Sequence, residues 1–260
     1  MIRGLYTVAS GIIASEKSQS AIMNNIANIN TTGYKSEILS LKSFDEVYIS
    51  NKDGHNNTRA TIGTMSNGVK INDRTTNFSQ GNISDTGVKT DFAIQGEGFF
   101  VVQRQEGNGS KNYYTRDGHF AIDTSGYLVN SSGDRVLGRN GGGLAPIYIG
   151  DGSISAGSNG SISVDGRNLG QLAVVNFPKD NEGNYTNLDT VAFNFYDGEN
   201  PTFSNNSHIV NSSLEKSNVN VVEETNNMMT IMRNFESNTT VLKTLDSTLE
   251  KAVNELGSVR

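Results

Sequence analysis

The chain has 260 residues, carries a net charge of −6, and is 35% hydrophobic. The acidic charge is diffuse and no basic stripe is present, which argues against a nucleic-acid surface, because phosphate contacts need clustered Lys and Arg. Cysteine is absent, which excludes disulfides, thiolate metal sites and a cysteine nucleophile.

The N-terminal segment, residues 1–33, predicts an amphipathic helix that runs from Ile2 to about Ile29. The positions of its apolar stripe recur at steps of three and four, with Ser15 and Gln19 filling two polar gaps, and the Asn and Gly residues that follow supply a stop signal. The stripe consists of Leu5, Val8, Ile12, Ile22, Ile26 and Ile29. The N-terminal segment lacks the roughly 18 consecutive apolar residues of a membrane span, and it also lacks the apolar core of a secretory signal. We therefore expect no cleaved signal peptide.

The middle of the chain, residues 34–215, predicts antiparallel β structure with no long helix. Short segments rich in Val, Ile, Phe and Tyr alternate with turn pairs, and Asp117-Gly118 and Asp165-Gly166 are strong hairpin signals. Residues 151–166 predict two small strands around a glycine-rich turn. We expect an extended or hairpin segment over 34–90 and a β domain over 91–215.

The C-terminal segment, residues 216–260, predicts a second helix. Asn220 followed by Glu223 fits a capping box and places the first helical residue near Val221. A heptad seam then continues over four repeats, with one polar residue at a core position. The seam consists of Met228, Ile231, Phe235, Asn238, Leu242, Leu245, Leu249, Ala252 and Leu256.

Together these elements predict an α+β fold, in which N- and C-terminal helices form a coiled-coil-like bundle beside a central, mostly antiparallel β domain. A seam of this width is too narrow to bury a helix in a globular core. We therefore interpret both apolar stripes as an assembly seam, through which the helices pair with each other or with neighbouring chains.

The sequence gives no indication of chemistry. His55, His119 and His208 are scattered in polar or turn-like segments, and Gly96-Glu97-Gly98 lacks the third glycine of a dinucleotide fingerprint. No serine elbow is present, and no pair of carboxylates is singled out by its spacing. We predict no catalytic, cofactor-binding or metal-binding residues, no small-molecule substrate and no enzymatic activity.

Four segments in order resemble the flagellar basal-body rod and hook protein family. They are NNIANINTTGYK (24–35), DFAIQGEGFFVV (91–102), YTRDGHFAIDTSGYLV (114–129) and SNVNVVEE (217–224), and the resemblance covers nearly the full chain. The residues that carry it are Asn24, Asn25, Asn28, Gly33, Tyr34, Lys35, Asp91, Gly96, Gly98, Phe99, Tyr114, Thr115, Arg116, Asp117, Gly118, Asn218, Val219, Asn220, Glu223 and Glu224.

This resemblance implies a structural subunit that is exported unfolded through the flagellar type III apparatus. It implies a helical homopolymer, with terminal helices packed as concentric coiled coils around a channel and the β domain as the outer wall. Neighbouring rod and hook subunits are the implied partners, and the basal body is the implied location.

Within the family, the length of the chain favours a rod protein over a hook protein. The start MIRGLY and the extension between Phe44 and Gly81, interpreted as a protruding hairpin, favour the distal over the proximal rod. Proximal rod and hook-type subunits remain alternatives. A cell-wall hydrolase serving flagellar assembly and a secreted adhesin with coiled-coil ends are alternatives of other classes.

Overall fold

The computed structural model describes residues 2–52, 59–107, 109–140, 143–150, 152, 154–157, 160–180, 185–186, 188–192, 194–204 and 208–257. The chain divides into two compact units. The first unit comprises Met1–Ala27, Glu37–Asn77 and Asn220–Arg260, and the second comprises Asn28–Ser36 and Phe78–Val219.

The first unit contains the two terminal helices, α1 (Ile2–Ala27) and α2 (Val221–Gly257), which pack against each other. Helix α2 begins at the residue that the capping pattern predicts, and the side-chain oxygen of Asn220 accepts a hydrogen bond from the backbone N–H of Val222 at 3.1 Å. In the described part of the chain, neither helix is long and apolar enough to cross a membrane.

Four strands complete the first unit as two antiparallel ladders. Strand β1 (Glu37–Ser43) pairs with β4 (Val69–Thr76), and β2 (Val47–Lys52) pairs with β3 (Arg59–Met65). Strands β1 and β4 also contact α1. The extension thus contains the expected hairpin in β2 and β3, while His55 lies outside the described residues.

The second unit is built from short strands, and every strand pairing among its described residues is antiparallel, as predicted. Its main sheet has the order β13-β14-β15-β11-β7-β8-β18-β17. The strands are β5 (Ile83–Asp85), β6 (Phe92–Gln95), β7 (Phe99–Glu106), β8 (Gly109–Thr115), β9 (Phe120–Ile122), β10 (Leu128–Asn130), β11 (Arg135–Asn140), β12 (Gly143–Pro146), β13 (Ile154–Ala156), β14 (Ser161–Val164), β15 (Arg167–Leu172), β16 (Val174–Asn176), β17 (Leu188–Ala192), β18 (Phe195–Gly198), β19 (Thr202–Phe203), β20 (His208–Asn211) and β21 (Ser213–Glu215).

Strand β7 lies at the centre of the core because both of its faces are covered. Phe99 and Val101 belong to one apolar cluster, whereas Phe100 and Val102 belong to a second cluster. All four side chains are at most 1% exposed. A strand buried on both faces needs a continuous apolar run, which explains the sequence Phe-Phe-Val-Val at this point.

The two Asp-Gly pairs that were predicted as hairpin turns have different structures. Asp165 and Gly166 have φ angles of 49° and 82° and join the paired strands β14 and β15, which confirms the predicted hairpin. The hairpin predicted at Asp117-Gly118 is wrong, because β8 pairs with β7 and β18 while β9 pairs with β10. Gly118 instead passes against the backbone of Phe92, whose N–H donates to the Gly118 carbonyl at 3.1 Å.

Gly118→Ala is expected to destabilise the protein by about 1–3 kcal/mol or more, because the added methyl group meets backbone that cannot rotate away. A Cβ at Gly118 would lie 1.6 Å from the carbonyl oxygen of Phe92. Gly63→Ala is the control, since a Cβ there meets nothing within 4 Å. Urea unfolding of both variants measures the effect, and equal midpoints would contradict this account of the contact.

Candidate functional site

The two terminal helices pair in an antiparallel heptad register. A Cβ on Gly11 would lie 3.0 Å from Nδ2 of Asn238, and a Cβ on Gly4 would lie 3.8 Å from Cδ1 of Leu245. Farther along, the side chain of Asn25 donates to Oε1 of Glu224 at 2.8 Å. Each advance of seven residues on α1 therefore matches a retreat of seven residues on α2.

The face that α1 buries is made of small and polar side chains. Ala14, Ser18, Ala21 and Asn25 are 4%, 9%, 4% and 1% exposed. Small residues at a helix contact let the two backbones approach closely. Of the predicted apolar stripe, Ile22 is buried, whereas the other members are half-buried and lie on one flank of this face: Leu5, Val8, Ile12, Ile26 and, beyond the end of the helix, Ile29.

On α2 the predicted seam is covered only in part. Phe235 is 37% exposed, and the side chain of Leu256 lies outside the described residues. The other members are half-buried: Met228, Ile231, Asn238, Leu242, Leu245, Leu249 and Ala252. Pairing with α1 thus leaves apolar area on α2 that a further partner can bury.

Asn25 joins three elements of the first unit. Its amide nitrogen donates to the Glu37 carbonyl at 3.0 Å, its oxygen accepts from the Glu37 N–H at 2.9 Å, and it also holds Glu224. The helix end, strand β1 and the first turn of α2 are therefore fixed by one buried amide. Burial raises the pKa of the Glu224 carboxyl, while the hydrogen bond from Asn25 acts in the opposite direction.

In the second unit, the carboxylate of Glu215 is the centre of a buried polar cluster. The Lys35 ammonium donates to Oε1 of Glu215 and to the Ser79 carbonyl, both at 2.7 Å, and the Gly81 N–H donates to the same Oε1 at 2.8 Å. The side chains of Lys35 and Glu215 are both 0% exposed. Burial lowers the pKa of Lys35, and the adjacent carboxylate partly offsets this shift.

Arg116 approaches the other oxygen of the same carboxylate. Its Nη1 lies 3.4 Å from Oε2 of Glu215 and donates to the Gly96 carbonyl at 2.8 Å, and its guanidinium stacks over Phe99 at 5.2 Å. Two cations therefore face one carboxylate, and the Gly81 N–H adds a backbone hydrogen bond to it. Paired charges and hydrogen bonds of this kind are what a buried ion requires to be tolerated.

The turn formed by Gly33, Tyr34 and Lys35 packs against this polar cluster. Gly33 has a φ of 68°, and a Cβ there would lie 2.4 Å from the Asp117 nitrogen, so only glycine fits. Its N–H donates to the Glu215 carbonyl at 2.8 Å, and the Thr32 hydroxyl donates to Asp117 at 2.6 Å. Burial raises the pKa of Asp117, although the bond from Thr32 acts against this shift.

His119 and Asp91 form a further polar contact. Nδ1 of His119 lies 2.9 Å from one Asp91 oxygen, and the Thr86 hydroxyl donates to the other at 2.6 Å. Asp91 is 2% exposed, whereas the side chain of His119 is 55% exposed. Within the described residues, no three His, Asp or Glu side chains are grouped so that they could hold a metal ion.

Most of the residues that carry the family resemblance lie at these contacts. Asn218 accepts from the Ser36 N–H at 2.8 Å, and Asn220 caps α2. Tyr34, Phe99, Tyr114 and Thr115 are buried, Gly96 and Gly98 have positive φ, Asn24 and Glu223 are exposed, and Asn28 and Val219 are half-buried.

Sequence reasoning missed Glu215 and the small residues of α1. Glu215 stands in the polar segment Ser-Leu-Glu-Lys-Ser, where an acid is normally exposed. The sequence signal for the face of α1 that contacts α2 is the heptad spacing of Gly4, Gly11, Ser18 and Asn25.

Known family models match three parts of the chain. Residues 5–35 match a flagella basal body rod protein, residues 93–167 match the D1 domain of the flagellar hook protein FlgE/F/G, and residues 210–255 match the C-terminal part of the flagellar basal body rod FlgEFG protein.

Characterised relatives align along nearly the whole chain. The flagellar basal-body rod protein FlgG of Bacillus subtilis is 31% identical, covering 98% of this chain and 99% of its own length. The flagellar basal-body rod protein FlgF of Caulobacter vibrioides is 33% identical over 100% of both chains. The flagellar hook protein FlgE of Helicobacter mustelae is 37% identical over 53% of this chain and 31% of its own length.

Lys35→Met is expected to lower the free energy of unfolding by about 3–5 kcal/mol, because it leaves a buried carboxylate without its closest cation. Adding Glu215→Leu to this variant should not restore the wild-type stability, because the buried Arg116 guanidinium then loses its carboxylate. Lys111→Met, which breaks the exposed pair with Asp197, is the control and should unfold like the wild type. A Lys35→Met variant as stable as the control would contradict the assigned role of the cluster.

Proposed function

Because the chain belongs to the family of flagellar basal-body rod proteins and is a structural subunit of the rod, we propose that it polymerises through its terminal helices and occupies the distal rod. In this proposal the partners are further copies of the chain, with neighbouring rod and hook subunits at the two ends of the polymer. The proposal also has the subunit reach its place through the flagellar type III export apparatus.

The exposed apolar surface of the first unit carries this proposal. Nine large apolar side chains of the two helices are 45–70% exposed, and exposed apolar surface marks an interaction site where it is contiguous. They are Tyr6, Ile13 and Met23 on α1, and Val221, Val222, Met229, Met232, Val241 and Val253 on α2. Further helices packed against these faces produce the concentric coiled coils that the resemblance implies.

The predicted assembly seam contributes the inner contact of this arrangement. Asn238 faces Gly11 at a core position of the heptads. A polar residue at such a position fixes the register at some cost in stability, which is the best-attested role of buried asparagine in coiled coils. The distal assignment draws support from the hairpin of β2 and β3, which extends the chain between β1 and β4.

Phe235→Asp is expected to abolish polymerisation while the second unit stays folded, because it places a charge in the partly covered seam of α2. Ser237→Asp, at an exposed position of the same helix, adds the same charge and should assemble normally. Motility and rod yield measure assembly, and near-UV circular dichroism measures the fold of the purified chain. Normal rods built from Phe235→Asp subunits would contradict the assembly seam.

Deletion of this gene should leave basal bodies whose axle stops within the rod and carries no hook, because later subunits then have no end to add to. Electron microscopy of isolated basal bodies measures the stopping height. A stop in the outer part of the rod is expected for a distal subunit, whereas a stop near its base indicates a proximal one. A complete rod that lacks only its hook moves the protein to the hook class.

A further inference from the structure

The loop between β3 and β4, residues 66–68, is held closely against α1 and against the chain before β2. Gly68 has a φ of 123°, and a Cβ there would overlap Oγ of Ser10. The Val69 N–H donates to the same Oγ at 3.3 Å, and the Phe44 N–H donates to the Gly68 carbonyl at 3.0 Å. Glycine is therefore the residue that this loop requires at position 68.

The residue before this glycine, Asn67, has a side-chain oxygen that the fold leaves without a partner. Its Oδ1 is buried, and no hydrogen-bond donor reaches it within the described part of the chain. A buried carbonyl oxygen without a donor costs free energy, because it has lost its hydrogen bonds to water. Hydrogen bonding therefore does not account for an asparagine at this position.

The pair Asn67-Gly68 has the chemistry for an attack of the backbone on the side chain. Asparagine is a chemically labile residue, and glycine has no Cβ that would hinder the approach of its nitrogen. Among the described residues, the Gly68 N–H donates to no acceptor, so the attacking nitrogen is not held in a hydrogen bond. By contrast, the amide of Asn25 is held at its nitrogen and at its oxygen by the backbone of Glu37.

We propose that Asn67-Gly68 is a self-modifying site, at which the folded chain converts Asn67 into aspartate and isoaspartate without an enzyme. The nitrogen of Gly68 forms a bond to Cγ of Asn67, the bond from Cγ to Nδ2 breaks, and the proton of the Gly68 N–H leaves with the departing ammonia. The product of this step is a five-membered succinimide ring.

Water opens the ring at one of its two carbonyl carbons. Addition of water at Cγ restores the original main chain and leaves an aspartate, whereas addition at the main-chain carbonyl carbon leaves an isoaspartate. Ammonia is lost and water is gained, and no electron is transferred to or from the chain. Each conversion adds one negative charge.

The two products have different consequences for the loop. Asn67 and Arg3 line the same groove, which has a volume of about 430 Å³, so the new carboxylate has a cation nearby. Isoaspartate also inserts a carbon into the main chain directly before Gly68, where the chain passes closely against Ser10. We therefore expect isoaspartate to loosen the loop from α1. The inference needs only the folded chain and does not rest on the proposed function.

Mass spectrometry of the purified, folded chain tests the site after incubation for several days at neutral pH. Trypsin releases residues 60–70, whose only asparagine is Asn67, and residues 18–35, which contain four asparagines that no glycine follows. Residues 60–70 should gain one mass unit and should accept a methyl group from isoaspartyl methyltransferase, the enzyme that labels isoaspartate. Residues 18–35 are the internal control and should change in neither respect.

The same chain unfolded in guanidinium chloride gives the rate without the fold. We expect the folded chain to convert Asn67 within about tenfold of that rate, because no hydrogen bond of either reacting group has to open first. A slower conversion in the folded chain overturns the proposal, and so does a gain of mass without isoaspartate, which would indicate direct hydrolysis of the side chain. In an Asn67→Gln chain, the attack would have to form a six-membered ring, so residues 60–70 should keep their mass over the same time.

Discussion

The carboxylate of Glu215 is the constraint on which the folded second unit depends. Lys35 and Glu215 are 180 residues apart in sequence, yet both side chains are fully buried and in contact at 2.7 Å. Neither charge can be buried without the other, because an unpaired ion in a protein interior costs several kcal/mol. The turn after α1 and the strand before α2 must therefore dock together, and the Arg116 segment must dock with them.

In the first unit, a hydrogen bond between an amide and a carboxylate likewise joins two distant parts of the chain. Asn25 and Glu224 are 199 residues apart and are joined at 2.8 Å, at one end of a helix pair that continues past Gly11 and Asn238. In both units, a polar contact ties the two ends of the chain to each other. In the proposed assembly, the apolar side chains that the paired helices still expose contact further subunits.

The sequence predicted the elements whose signals are local. The start of α2 follows from Asn220, and the turn at Asp165-Gly166 follows from a residue pair that adopts positive φ readily. Non-local causes were missed: Gly118 is required by the approach of the Phe92 backbone, which is distant in sequence, and Glu215 is buried only because two cations reach it. The small residues on the buried face of α1 were missed because glycine, alanine and serine pack helices closely while contributing little hydrophobicity.

A reconstruction of the isolated rod by electron cryomicroscopy shows directly which parts of neighbouring subunits touch. We expect α1 and α2 of each subunit to stay antiparallel with Gly11 opposite Asn238, and their outer faces to make the contacts between subunits. A rod in which these helices are separated, or in which neighbouring subunits meet only through their β strands, would contradict this expectation.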